Sequence, residues 1–177
     1  MLNSDLLEAE NSLSNIKKAF RIVNMTLKVI FVLFCLYWLI VIGSTVYAYV
    51  IDATDKPDFL PMCLYFSHGV VIALLLLTFI GIFSDVVVGR SPFTMIQVRR
   101  LRIIAGLLLM YAVIDFAVTA NAAIFKYDEL VSGYVSTTGN EIIPINLAPI
   151  FGAGVMFAFS FVFKYGVLLQ EFSDETL

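Results

Sequence analysis

The chain has 177 residues, of which 60% are hydrophobic and 14% charged, and its mean hydropathy is +0.94. A soluble domain carries about 25% charged residues and about 45–50% apolar ones, so a soluble globular reading is excluded. A net charge of −3 also excludes direct nucleic-acid binding, which needs a basic face to meet phosphate.

In chain order, the first element is an amphipathic helix. Leu2, Leu6, Ala9, Leu13, Ile16, Phe20 and Val23 recur with spacings of four and three, a heptad seam that Leu27 and Ile30 extend. Asp5, Glu8 and Glu10 lie toward its start and Lys17, Lys18, Arg21 and Lys28 toward its end, the order a helix dipole favours. Residues 1–28 therefore form a cytoplasmic amphipathic helix. It either lies on the inner leaflet or projects and docks on a partner or on its own neighbours. The first apolar run follows this charged stretch and is longer than a signal-peptide core, so it should be retained as an anchor.

Residues 29–177 form a four-span membrane domain with spans at 29–50, 60–83, 103–125 and 147–169. Each is long enough to cross hydrocarbon, which takes about 20 apolar residues. Asp52, Asp55, Lys56, Pro57 and Asp58 make a short turn between the first two spans. Ser84 and Asp85 close the second, with Gly89 and Pro92 in the connection after it. Ser91-Pro92 has helix-start chemistry, a capping hydroxyl followed by a residue with no N–H to satisfy, so the third helix is expected to begin near Pro92. Residues 126–146 are the one long connection; Val131–Thr137 and Glu141–Ile145 could pair there as a hairpin.

Orientation follows from Lys and Arg. Nine of the eleven cations flank the same ends of the spans, while the opposite loops hold only Lys56 and Lys126 beside six acids. By the positive-inside rule the cation-rich side is cytoplasmic, and an even number of spans returns the C-terminus there. The expected architecture is an all-α integral membrane protein, a four-transmembrane-helix bundle with both termini in the cytoplasm. The expected location is a cell membrane, a bacterial inner or plasma membrane. The Asn24-Met25-Thr26 sequon then lies on the wrong side for glycosylation and is read as accidental.

Two polar residues fall inside spans. Asp115 lies near the middle of the third, where an ionised carboxylate costs about 2.5–3.5 kcal/mol on insertion scales. Tyr111 and Thr119, four residues either side, and Ala122 place a polar-to-small stripe on its face. His68, the sole histidine, lies in the second span. At 1.5 Å per residue His68 is about 12 Å and Asp115 about 15 Å from the outer ends, so the two could meet. A shared proton relay or ligand contact is one reading; hydrogen bonds between helices are the other. No second histidine or cysteine completes a zinc site, Cys35 and Cys63 differ too much in depth for a disulfide, and no nucleophilic triad or phosphate-binding loop is present. No enzyme activity, cofactor or metal is expected. Ala148-x-x-x-Gly152 and Gly154-x-x-x-Ala158 put small residues where helices can approach closely, and Lys164 is expected to snorkel to the headgroups.

At the cytoplasmic surface, Arg99, Arg100 and Arg102 stand near the start of the third span and Glu171, Asp174 and Glu175 after the fourth. Opposite charges at one depth suggest an ionic clasp between loop and tail; anionic lipid beside the arginines is the alternative.

Gly89-Arg-Ser-Pro-Phe93, Val98-Arg-Arg-Leu-Arg102, Val162-Phe-Lys-Tyr-Gly-Val-Leu-Leu-Gln-Glu171 and Ser173-Asp-Glu-Thr-Leu177 give the chain a resemblance. It resembles the bacterial four-span family catalogued as domain of unknown function 2975, over spans two to four by motif and over the whole chain by layout. The N-terminal heptad helix lies outside the resemblance. Members of that family are often encoded beside small helix-turn-helix transcription regulators. The resemblance thus implies a membrane partner that senses or sequesters such a regulator, with contact at residues 92–102 and 170–177.

The leading expectation is a non-enzymatic membrane regulator or sensor acting by protein–protein contact on its cytoplasmic face. The rivals are a small channel or transporter subunit using Asp115, and an immunity-like membrane protein. The candidate partners are the lipid bilayer, a cytoplasmic protein and further copies of the chain.

Overall fold

The computed structural model describes the backbone of residues 2–51, 59–91, 93–125 and 145–175, and the side chains of residues 14–51, 59–91, 93–120 and 145–173. Four helices account for nearly all of it: α1 Leu2–Val50, α2 Phe59–Val87, α3 Met95–Phe125 and α4 Ala148–Glu175. Each contains a stretch long and apolar enough to cross a membrane, and the protein is a multi-pass, four-helix membrane protein. The expected hairpin at 131–145 lies outside the described residues, apart from Ile145.

The helices pack in chain order. α1 lies on α2, α2 on α3 and α3 on α4, and among the described residues α1 and α4 do not touch. Short connections make α1 and α2, and α2 and α3, antiparallel, as pairs of contacts at different depths confirm. Phe20 meets Phe83 and Trp38 meets Phe66; Arg100 reaches Gly81 and His68 meets Tyr111. The core is small and sits mostly between α3 and its neighbours, where Val98, Ile104, Ala105, Ala153 and Val167 are buried. The many exposed leucines, valines and phenylalanines on the outer faces are in keeping with a chain whose solvent is lipid, since lipid tails give no hydrophobic drive to cover them.

α1 is a single helix of 49 residues, about 73 Å long at 1.5 Å per residue and well over twice the roughly 30 Å of a hydrocarbon core. Its packed line takes in one of the two rows of the heptad seam. Phe20 and Leu27 of the seam are half-buried, as is Phe31, and Asn24 is buried, whereas Ile16, Val23 and Ile30, the other row of the seam, are 52%, 40% and 45% exposed. α2 covers the first row and leaves the second open.

α2 ends in a Schellman turn: the Arg90 N–H bonds the Asp85 carbonyl and the Gly89 N–H bonds the Val86 carbonyl. Gly89 carries the left-handed φ of 86° that this turn needs and that a side chain disfavours. The start of α3 differs from expectation. The helix begins at Met95, with the Thr94 hydroxyl and carbonyl both accepting the Gln97 N–H. Ser91 is used otherwise: its hydroxyl accepts the Phe93 N–H and donates to Gln170 on α4. Threonine nearer the helix satisfies the free N–H, and the preceding serine ties the connection to α4.

Candidate functional site

Trp38 of α1 lies flat against Gly69 of α2. A Cβ on Gly69 would fall 1.9 Å from the Trp38 indole nitrogen, so only glycine admits the ring and lets the two backbones approach. One residue from that contact, on the α3-facing side of α2, the His68 ring packs on Tyr111 with centroids 4.6 Å apart. Asp115 follows Tyr111 by one helical turn, on the same face, and lies near both rings. The expected meeting of His68 and Asp115 thus takes the form of a three-residue cluster with Tyr111 between them in the packing. They do not hydrogen-bond to each other. The His68 Nε2 is buried with no partner, and Thr119 bonds the Asp115 backbone carbonyl, not its carboxylate.

A second polar cluster joins α2 and α3 where α2 ends. Asp85 accepts hydrogen bonds from Arg100 and Gln97 through Oδ2 and from Arg90 through Oδ1. Arg100 donates further to the Gly81 carbonyl at 2.9 Å. Its guanidinium lies so close to Gly81 that a Cβ there would sit 3.3 Å from its Cζ. Asp85 and Arg100 keep only 15% and 26% of their side-chain surface. Arg90, at 65%, is a surface partner of the kind that contributes little. Buried Gln97 spends its amide on Asp85 and leaves its oxygen without a partner.

This cluster redistributes the arginines expected to meet the tail. Arg100 is engaged by Asp85 of α2. Arg102 sits 6.0 Å from the Phe161 ring centroid on α4, a cation–π distance. Arg99 is exposed, as are Lys164 and Glu171, and among the described residues none of the three forms an ion pair. Asp174 and Glu175 lie on the last turn of α4, with side chains outside the described residues.

Gln97 and Gly81 were not singled out by the sequence, and Asp85 was read only as the end of the second span. A signal existed: a carboxylate ending one span and an Arg and Gln opening the next fall at one depth when antiparallel helices are joined by a short turn. Among the described residues no group of three or more metal-ligating side chains occurs. No family model matches the chain, and neither a curated protein nor a solved structure was found to be similar to it.

Proposed function

We propose that the protein is a non-enzymatic membrane regulator that works by holding a protein partner at the end of the bundle where α1 begins. The observation that carries this reading is the length of α1. Its residues 14–19 are exposed throughout, and the helix runs a further dozen residues upstream with the heptad repeat continuing in the sequence. A seam with Ile16 and Val23 open, on a helix far longer than a span, suits a helical partner that inserts its own apolar residues.

The positive-inside distribution supports placing this end, and both termini, in the cytoplasm. Reporters fused after Gln170 should be active only in the cytoplasm and those inserted near Gly139 only outside; a C-terminal reporter active outside would remove the reading. The resemblance to a family encoded beside helix-turn-helix regulators supports a regulator of that kind as the partner.

The test is a double substitution, Ile16→Glu with Val23→Glu. Neither residue packs closely on α2, so membrane insertion and helix content should stay unchanged. Recovery of a soluble DNA-binding protein with the membrane-extracted chain should drop at least tenfold, because two buried carboxylates would each cost more than 1 kcal/mol in an apolar seam. Equal recovery with and without the substitutions would sink the proposal.

A further inference from the structure

The two sides of the α3–α4 pair are finished differently. On one side the connection folds over: Phe93 packs on Phe163 with centroids 5.5 Å apart and fills the space beside Gly166, where a Cβ would fall 2.7 Å from its ring. On the other side no described residue folds over. Gly106 of α3 and Gly154 of α4 are both exposed, and among the described residues no atom beyond each helix's own turn lies within 4 Å of where a Cβ would stand.

That open side carries cations that form no ion pair among the described residues. Arg99, Arg102 and Gly106 follow at spacings of three and four, on one face of α3. On α4, Gly154 precedes Phe161 by seven residues and Lys164 follows it by three, again one face. The Arg102–Phe161 contact joins the two faces. Arg99, Arg102 and Lys164 therefore cluster around an exposed phenylalanine, and both glycines lie on the side of that contact leading into the hydrocarbon. The nearest carboxylate along α4, Glu171, is seven residues beyond Lys164, about 10 Å toward the helix end. Arg90 and Arg100, by contrast, are both paired with Asp85.

We propose that this face is a binding site for an anionic phospholipid. Arg99, Arg102 and Lys164 hold the phosphate, and an acyl chain lies along the groove past Phe161 toward Gly106 and Gly154. Three cations that meet no carboxylate among the described residues suit a phosphate at the membrane boundary. A groove left open by two glycines in line with it suits a chain, which a soluble phosphate lacks.

The test uses the whole protein in neutral detergent, with lipid adducts counted by native mass spectrometry against added phosphatidylglycerol or phosphatidylcholine. The wild type should prefer phosphatidylglycerol. Arg102→Gln with Lys164→Gln should weaken it about thirtyfold, at about fivefold per cation, while Arg102→Lys should retain it. Gly154→Leu, which fills the groove and leaves the charges, should weaken phosphatidylglycerol while leaving any binding of glycerol phosphate unchanged. A phosphatidylglycerol preference that survives the double substitution would overturn the proposal. Glycerol phosphate competing as strongly as the lipid would overturn it too, since the groove would then contribute nothing.

Discussion

Gly69→Ala is expected to loosen α1 from α2. The added methyl would overlap the Trp38 indole, 1.9 Å from its nitrogen and 2.4 Å from the nearest ring carbon. A rigid ring cannot swing aside as the end of a lysine can, so the helices must separate or the ring leave its place. Overpacking of this kind costs roughly 1–3 kcal/mol, and the upper part of that range is expected. Trp38 is the only tryptophan, so its fluorescence reports the contact directly. Its emission should shift in Gly69→Ala, and thermal unfolding in detergent should move to lower temperature. Trp38→Leu should largely rescue the glycine substitution, a non-additivity that double-mutant cycles detect. Additive losses would mean that ring and glycine do not oppose each other.

Asp85→Ala should produce the other large effect. It leaves the Arg100 guanidinium and the Gln97 amide, both inside the α2–α3 junction, without their shared acceptor. Removing one partner of a buried ion pair costs roughly 3–5 kcal/mol. Arg100 retains about a quarter of its surface and one bond to the Gly81 carbonyl, so a loss of about 2–3 kcal/mol is expected here. Asp85→Asn, which keeps an acceptor, should lose less. Arg100→Met in the Asp85→Ala background should recover part of the stability, because the stranded charge is then gone. Arg90→Ala should do almost nothing, as an exposed pair is worth about 0–1 kcal/mol. Equal losses from Arg90→Ala and Asp85→Ala would show that the junction does not depend on the Arg100 pair.

Membrane class and the number of helices were legible in the sequence. Four blocks of apolar residues, each bounded by charge, glycine or proline, have one arrangement in lipid that satisfies every backbone hydrogen bond, and that is helix. The single long α1 was only one of two readings: no proline or glycine interrupts residues 1–42, but a helix lying on the inner leaflet fitted the same amphipathic pattern. Asp115 and His68 stood out because ionisable side chains inside spans are costly. The antiparallel packing of α2 on α3 then brought them into one cluster, although with Tyr111 as the ring that His68 touches.

Which charge meets which was not legible. Arg99, Arg100 and Arg102 are near-equivalent in sequence, but 100° of turn per residue does not send them all to one face. Arg100 points to α2 and Asp85, whereas Arg102, with Arg99 one turn before it on the same face, points to α4 and Phe161. The same rotation splits the heptad seam of α1, so that α2 covers the row of Phe20 and Leu27 and not that of Ile16 and Val23, because a seam is a property of one helix and a contact is a property of two. Gly69, Gly81 and Gly166 look alike in sequence to Gly106 and Gly154. Tertiary packing sets a tryptophan, an arginine and a phenylalanine against the first three, and leaves the last two open. Local chemistry along the chain therefore determined that this protein consists of four membrane helices and which of their ends carry charge. Only the rotation and approach of each helix against its neighbour decided which polar groups are paired, which faces are closed and where a ligand could enter.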